Sequence, residues 1–275
     1  MTLCQPRTSP YFRYRKGQSI EWDAGTTCVP FVWDRRMNEP LLSVQGVTKR
    51  FGGLVALRNV SFDVGRGEVV GLMGPNGAGK TTLLNVIAGE TAPEAGAIRF
   101  KGQDVTKAPP HKICRLGIAR TYQIPQPFVT LTVRENLLVA AVFGRALKRA
   151  TAEFEHEALF DLVGLSEKKD TLAGSLTILS LKQLELARAL ARKPELLLLD
   201  EVAAGTTEVE IPKILATIRA IREMGITAII IEHVMKVLIK AVDKIVVIDK
   251  GEKICEGRPN AVMGDARVMQ AYFGT

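Results

Sequence analysis

The run GPNGAGKT, Gly74 to Thr81, brings together the residue types that hold a phosphate. Gly74, Gly77 and Gly79 allow backbone conformations closed to other residues, so successive peptide N–H groups can turn toward an anion. Pro75, Asn76 and Ala78 fill the positions between them, and Lys80, Thr81 and Thr82 follow. The run comes after the apolar segment VVGLM and opens the helix-like segment KTTLLNVIAG. A helix start adds partial positive charge to the nest of N–H groups. Lys80 is then spaced to reach the β- and γ-phosphates, and the Thr81 hydroxyl to complete a Mg²⁺ shell. The alternative is an ordinary glycine-rich turn; the strand–loop–helix context favours a nucleotide site.

A second set of residues could act on the same phosphates. ELLLLDE, Glu195 to Glu201, reads as a strand buried on both faces that ends in two acids. Open α/β sheets present ligand groups at such strand ends. Asp200 would hold Mg²⁺ through water, and Glu201 would polarise an attacking water. His233 ends another apolar segment, AIIIEH. A lone His is more often structural, but a parallel sheet brings this one to the same edge, within reach of a γ-phosphate. Gln123 lies between GIARTY and IPQPF. It could ligate Mg²⁺ or be one more polar residue in a Pro-containing loop. His111 and His156 lack such a setting and read as surface residues.

Positioning these groups requires a sheet. LLSVQGV, VSFDV and AIRF read as strands on alternation and β-branching. ELLLL, ITAIIIE and KIVVID read as buried strands, separated by helices at about 209–224 and 234–241. Apolar strands alternating with helices predict a mostly parallel sheet covered on both faces, an α/β fold. Residues 128–192 are mainly helical and interrupt that rhythm, so they read as an inserted lobe. Phe154, Ala158, Leu159 and Leu162 are expected on one helix face there. Ser180 with Gln183 fits a capping box at the start of the helix that carries Leu181, Leu184, Ala187 and Ala191.

Composition narrows the classes. The 275 residues are 47% hydrophobic and 24% charged, which suits a folded domain rather than a disordered chain. The formal charge of +8 is scattered rather than blocked, so a solvated basic surface is the simpler reading than a nucleic-acid or lipid contact. None of the four cysteines forms a CxxC pair, which fits a reducing compartment and suggests no zinc site. No uninterrupted apolar run reaches the roughly 20 residues that span a bilayer. Residues 1–36 show no clear period and no signal-peptide pattern, and Met37 leads directly into the first strand-like segment. The expectation is a native start at Met37, with 1–36 a disordered or over-translated extension and 37–275 the folded domain.

Taken in order, GPNGAGKTT, Gln123, a helical segment, LELARALARKPELLLLDE and His233 resemble the ATP-binding subunit of an ABC transporter. The resemblance covers about residues 41–273. TKRFGGLVALRNVSFDV, GIARTYQIPQPFVTLTVRENLLVAA and GEKICEGRPNAVMGDARVMQAYFG narrow it to the ATPases of branched-chain amino-acid importers. That resemblance implies a P-loop NTPase fold with an N-terminal antiparallel β-subdomain. It implies Phe51 stacked on adenine, Thr81 and Gln123 as Mg²⁺ ligands, Glu201 as catalytic base, and ATP with Mg²⁺ as cofactors. It also implies a second ATPase subunit, two membrane permeases contacted through the segment after Gln123, and indirectly a periplasmic solute-binding protein. The chain would then sit peripherally on the cytoplasmic face of the plasma membrane, with no nucleic-acid partner.

Two departures from the family pattern matter. The glycine-rich signature that the resemblance places before LELARAL is here Leu176, Thr177, Ile178, Leu179 and Ser180, with Leu179 where relatives, which vary the motif, usually keep a glycine. A side chain there hinders close backbone approach to phosphate. The stretch DEVAAGTTEVE is also about two residues shorter than the family's usual loop. The expectation is an asymmetric pair: this chain's phosphate loop is completed by an intact partner, while LTILS impairs the partner's site. Two other readings remain, a degenerate nucleotide-binding subunit with little hydrolysis of its own, and a soluble non-transport ABC ATPase. The second usually carries two cassettes, whereas this chain has one phosphate loop.

Overall fold

The structure is a computed structural model that describes residues 39–143, 157–201, 211–232 and 235–273. The proposed extension 1–36, Phe154 and His156, the shortened stretch after Glu201 and His233 lie outside the described residues.

Strands β1 (Leu42–Phe51) and β2 (Leu54–Val64) form a hairpin, with Phe51 opposite Leu54 across the Gly52–Gly53 turn. With β4 (Ala95–Phe100) and β5 (Gln103–Asp104) they make an antiparallel sheet in the order β2-β1-β4-β5. A second sheet runs β10-β9-β3-β8-β7-β6. Its parallel strands are β3 (Val69–Met73), β6 (Ile118–Arg120), β7 (Leu196–Asp200), β8 (Thr227–Ile231) and β9 (Lys244–Asp249); β10 (Glu252–Gly257) is an antiparallel edge.

The apolar runs of these strands are continuous because both faces are covered, and alternate residues sort into two cores. Val70, Leu72, Leu196, Leu198, Ile229, Ile231, Val246 and Ile248 face one core. That core is completed by the antiparallel sheet (Leu42, Val44, Leu57, Phe100), by Leu83 and Leu84 of α1 (Lys80–Ile87) and by Ile113 of α2 (Pro110–Leu116). Val69, Met73, Leu197, Leu199, Ala228, Ile230, Ile245 and Val247 face the other. It is filled from α3 (Val133–Phe143), the helical residues 157–163 (α4), α5 (Ile178–Ala191), α6 (Ile211–Glu223) and α7 (Met235–Ala241). After β10 come α8 (Pro259–Met263) and α9 (Ala266–Phe273), whose Val268 joins this second core.

β6 and β7 are parallel neighbours, so everything from α3 to α5 is inserted between two adjacent strands. Within α4 the deeply buried residues are Phe160 and Val163; Leu159 and Leu162 are only partly buried and Ala158 is exposed. The face expected from Ala158 is thus rotated, because a Phe buries far more apolar area than an Ala and takes the inward position.

Candidate functional site

The phosphate loop, Gly74–Gly79, joins β3 to α1. Gly74 (φ 154°) and Gly79 (φ 106°) both lie where L side chains are strained. A Cβ at Gly74 would stand 2.0 Å from the Ile248 carbonyl oxygen, and one at Gly79 2.5 Å from that of Ala56. The loop is therefore wedged between β9 and β2, and no other residue fits at these points. Gly79 caps α1 with no side-chain hydrogen bond, so the first-turn N–H groups keep no partner from a cap. The buried Lys80 ammonium donates to the Gly74 carbonyl at 2.6 Å and the Pro75 carbonyl at 2.9 Å. Burial pulls its pKa below the ordinary lysine value, opposed by the nearby charges of Glu201 and Asp200. Asn76, Gly77 and Thr81 are exposed, Pro75 and Thr82 are half-buried, and Ala78 is buried.

Phe51 leaves the tip of the β1–β2 hairpin half exposed, with the Lys49 ammonium 5.1 Å from its ring centre. An exposed planar face beside a cation suits a purine ring.

The acids arrive from β7. Asp200 pairs with Ile231 in the β7–β8 register, and the Glu201 N–H donates to the Ile231 carbonyl at 3.0 Å. Asp200 is buried, and Arg120 Nη2 stands 3.4 Å from its Oδ2. Its Oδ1 is buried without a hydrogen-bond partner. Burial pushes its carboxyl above the ordinary aspartate value, with Arg120 opposing. An orphaned anionic oxygen at the edge that also holds the phosphate loop is the kind of acceptor a hydrated divalent cation satisfies. Glu201 is held at φ 52°, a left-handed conformation that costs a non-glycine residue about 1 kcal/mol or more.

Gln123 Nε2 donates to Glu201 Oε2 at 2.7 Å. The register explains the meeting: Arg120 pairs with Leu198, and each chain then runs three residues on to Gln123 and Glu201. Arg120 had no assigned role in the sequence. It is buried, bonds Asn85 and Glu90 (3.0 Å to the latter) as well as Asp200, and so ties α1 to the acid. The signal was present as a charged residue inside an otherwise apolar strand.

At the start of α5 the cap is Thr177, not Ser180. The Thr177 backbone is extended (φ −67°, ψ 159°), and its hydroxyl accepts from the Ser180 N–H at 3.3 Å. Thr-x-x-Ser supplies an N-cap three residues earlier, and Ser180 turns inward to accept from Lys168 Nζ at 2.9 Å. Ile178 is exposed, while Leu179, 42% exposed, lines an apolar cavity of about 200 Å³ with Leu186, Ile214, Ile218 and Ile221. His111 is exposed, as expected of a surface residue.

Residues 57–204 match the ABC transporter family. The chain is 38% identical over 253 residues to the high-affinity branched-chain amino acid transport ATP-binding protein BraF of Pseudomonas aeruginosa, covering 86% of this chain and 99% of that one. It is 36% identical over 245 residues to the probable branched-chain amino acid transport ATP-binding protein LivG of Archaeoglobus fulgidus, covering 85% and 95% respectively. Among solved structures, an ABC-transporter ATP-binding cassette in its ADP conformation superposes with a TM-score of 0.77 at 32% identity, covering 86% of this chain and all of that one.

Proposed function

The chain belongs to the ABC transporter family as an ATP-binding, ATP-hydrolysing cassette, and on that premise we propose that it powers an importer of branched-chain or related amino acids. The observation that carries the mechanistic part is the Gln123–Glu201 hydrogen bond beside Lys80 and Asp200. It gathers a base, a sensing amide and a phosphate-binding ammonium at one sheet edge.

In this reading the Gly74–Thr82 backbone and Lys80 bind the phosphates and Phe51 stacks on adenine. Glu201 takes the proton of the attacking water while His233 contacts the γ-phosphate. Thr81, Gln123 and, through water, Asp200 would hold Mg²⁺, which when bound supplies positive charge against the phosphates. Lys80 neutralises charge developing on the γ-phosphate without reorganising, since two loop carbonyls already fix its ammonium. Residues 124–129, with exposed Ile124, Phe128 and Val129, form the contact to a permease and tie it to Glu201 through Gln123.

The partners are a second ATPase subunit, two permeases at the cytoplasmic face of the membrane and, indirectly, a solute-binding protein. A side-chain-capped α5 start carrying Leu179 favours a different, intact ATPase chain as partner, so that this chain's own loop turns over ATP while the opposite site is impaired. The test is co-expression with candidate permeases and a second ATPase, followed by purification and reconstitution in vesicles. Leucine uptake driven by ATP, lost in Glu201→Gln, supports the reading. ATP binding with no turnover in any combination would point to the degenerate subunit instead.

A further inference from the structure

The phosphate loop is also gripped from its other flank, by the C-terminal helix. The Gly74 N–H donates to the Tyr272 hydroxyl at 2.7 Å, across 198 residues of sequence. Gly74 is thereby held on both sides, its N–H by Tyr272 and its carbonyl by the Lys80 ammonium at 2.6 Å. We propose that Tyr272 is a positioning residue for the ATP site, holding the first turn of the phosphate loop in the shape that presents Lys80 to the phosphates. The proposal rests on the ATPase reading above and extends it to the C-terminal helix.

Three features of the surroundings support it. First, Gly74 occupies a conformation only glycine adopts, and glycine is also the residue that loses most freedom on ordering. A hydrogen bond that orders it before nucleotide arrives removes part of that cost from binding. Second, α9 is itself fixed. Val268 is buried, and Tyr272 packs against the core that takes Met73. Asp265, just before the helix, accepts from the Arg267 N–H at 2.9 Å, from its guanidinium at 2.7 Å and from Cys255 Sγ of β10 at 3.3 Å. Those bonds hold the Asp265 carboxyl well below the ordinary aspartate range, so the anchor stays charged at neutral pH. Third, burial pushes the Tyr272 phenol above its usual value while the Gly74 N–H pulls it down, as a donor held on the phenol oxygen must. On the outer side of the loop an open cleft is lined by Asn76, Gly77, Asp249, Lys250, Arg267 and Gln270, so α9 flanks the loop along its length.

The test uses the full chain in its active assembly. Tyr272→Phe keeps the ring and its packing and removes only the hydroxyl. The expected result is a rise in the KM for ATP of about 3- to 10-fold, the range of one hydrogen bond, with kcat within about twofold and a melting temperature lower by no more than a few degrees. Amide hydrogen exchange at Gly74 in the nucleotide-free wild type should be slow, and faster in the variant. A purely structural role would lower the melting temperature and leave KM where it was. A KM within twofold of wild type, or Gly74 exchange that is fast in the wild type or unaltered in the variant, overturns the proposal. Absence of ATP binding by the wild type would sink the ATPase reading, and Gly74 exchange would still judge the hydrogen bond.

Discussion

Helices α1 and α5 both begin where the proposed ATPase function requires a phosphate contact, yet their first turns are built in opposite ways. At α1 the cap is a glycine with φ 106° and no side-chain hydrogen bond, so the N–H groups of the first turn are left for an anion. At α5 the cap is Thr177, whose hydroxyl already takes the Ser180 N–H, and the next two residues are the apolar Ile178 and Leu179. One helix start is open and polar; the other is closed by its own side chain and shielded by hydrocarbon. The contrast teaches that a good helix cap and a good phosphate site compete for the same donors. A sequence that improves the first loses the second.

The contrast can be broken from either end. Lys80→Ala removes the charge that makes the α1 start a phosphate site. It should lower ATP turnover by a factor of about 100 or more, read as steady-state phosphate release, with the circular dichroism of the fold retained. Leu179→Gly should move α5 toward the α1 design. In a reconstituted pair with an intact partner ATPase, turnover at the partner's phosphate loop should rise by about tenfold. No gain there would mean that the lost glycine is not what closes the site. Thr177→Ala tests the cap alone. Losing it should cost about 1 kcal/mol, seen as a fall in melting temperature of roughly 2–4 °C, with ATP affinity at this chain's own loop unchanged.

The same contrast explains which parts were legible in advance. The phosphate loop is local: glycines, lysine and helix start follow within one run, and strand and helix on either side carry their own periods. The buried strands were equally readable, because alternate residues of one run serve two cores and leave it apolar throughout. The α5 cap was misread because Thr177 and Ser180 both satisfy the local pattern; in the fold Thr177 is the extended residue and Ser180 lies inside the helix, its hydroxyl taken by the distant Lys168. Arg120 and Tyr272 stayed hidden for a different reason. Their partners, Asp200 and Gly74, are 80 and 198 residues away, and no periodicity encodes a side chain's reach to the far end of the chain.

The β6–β7 pairing has a consequence for how such chains can vary. Gln123 and Glu201 meet because Arg120 lies opposite Leu198 and each strand continues by the same number of residues. The β6–β7 register sets that alignment, and the helical excursion between them steadies it from α5, where Lys182 donates to the Glu201 carbonyl and Arg188 to the Gln126 carbonyl. A change in the length of the excursion that spares both strands therefore leaves Gln123 opposite Glu201. A single residue gained or lost between Arg120 and Gln123 would throw them out of step. The tolerance for insertions is thus expected to be wide across the tens of residues of the excursion and nil across the three that follow Arg120.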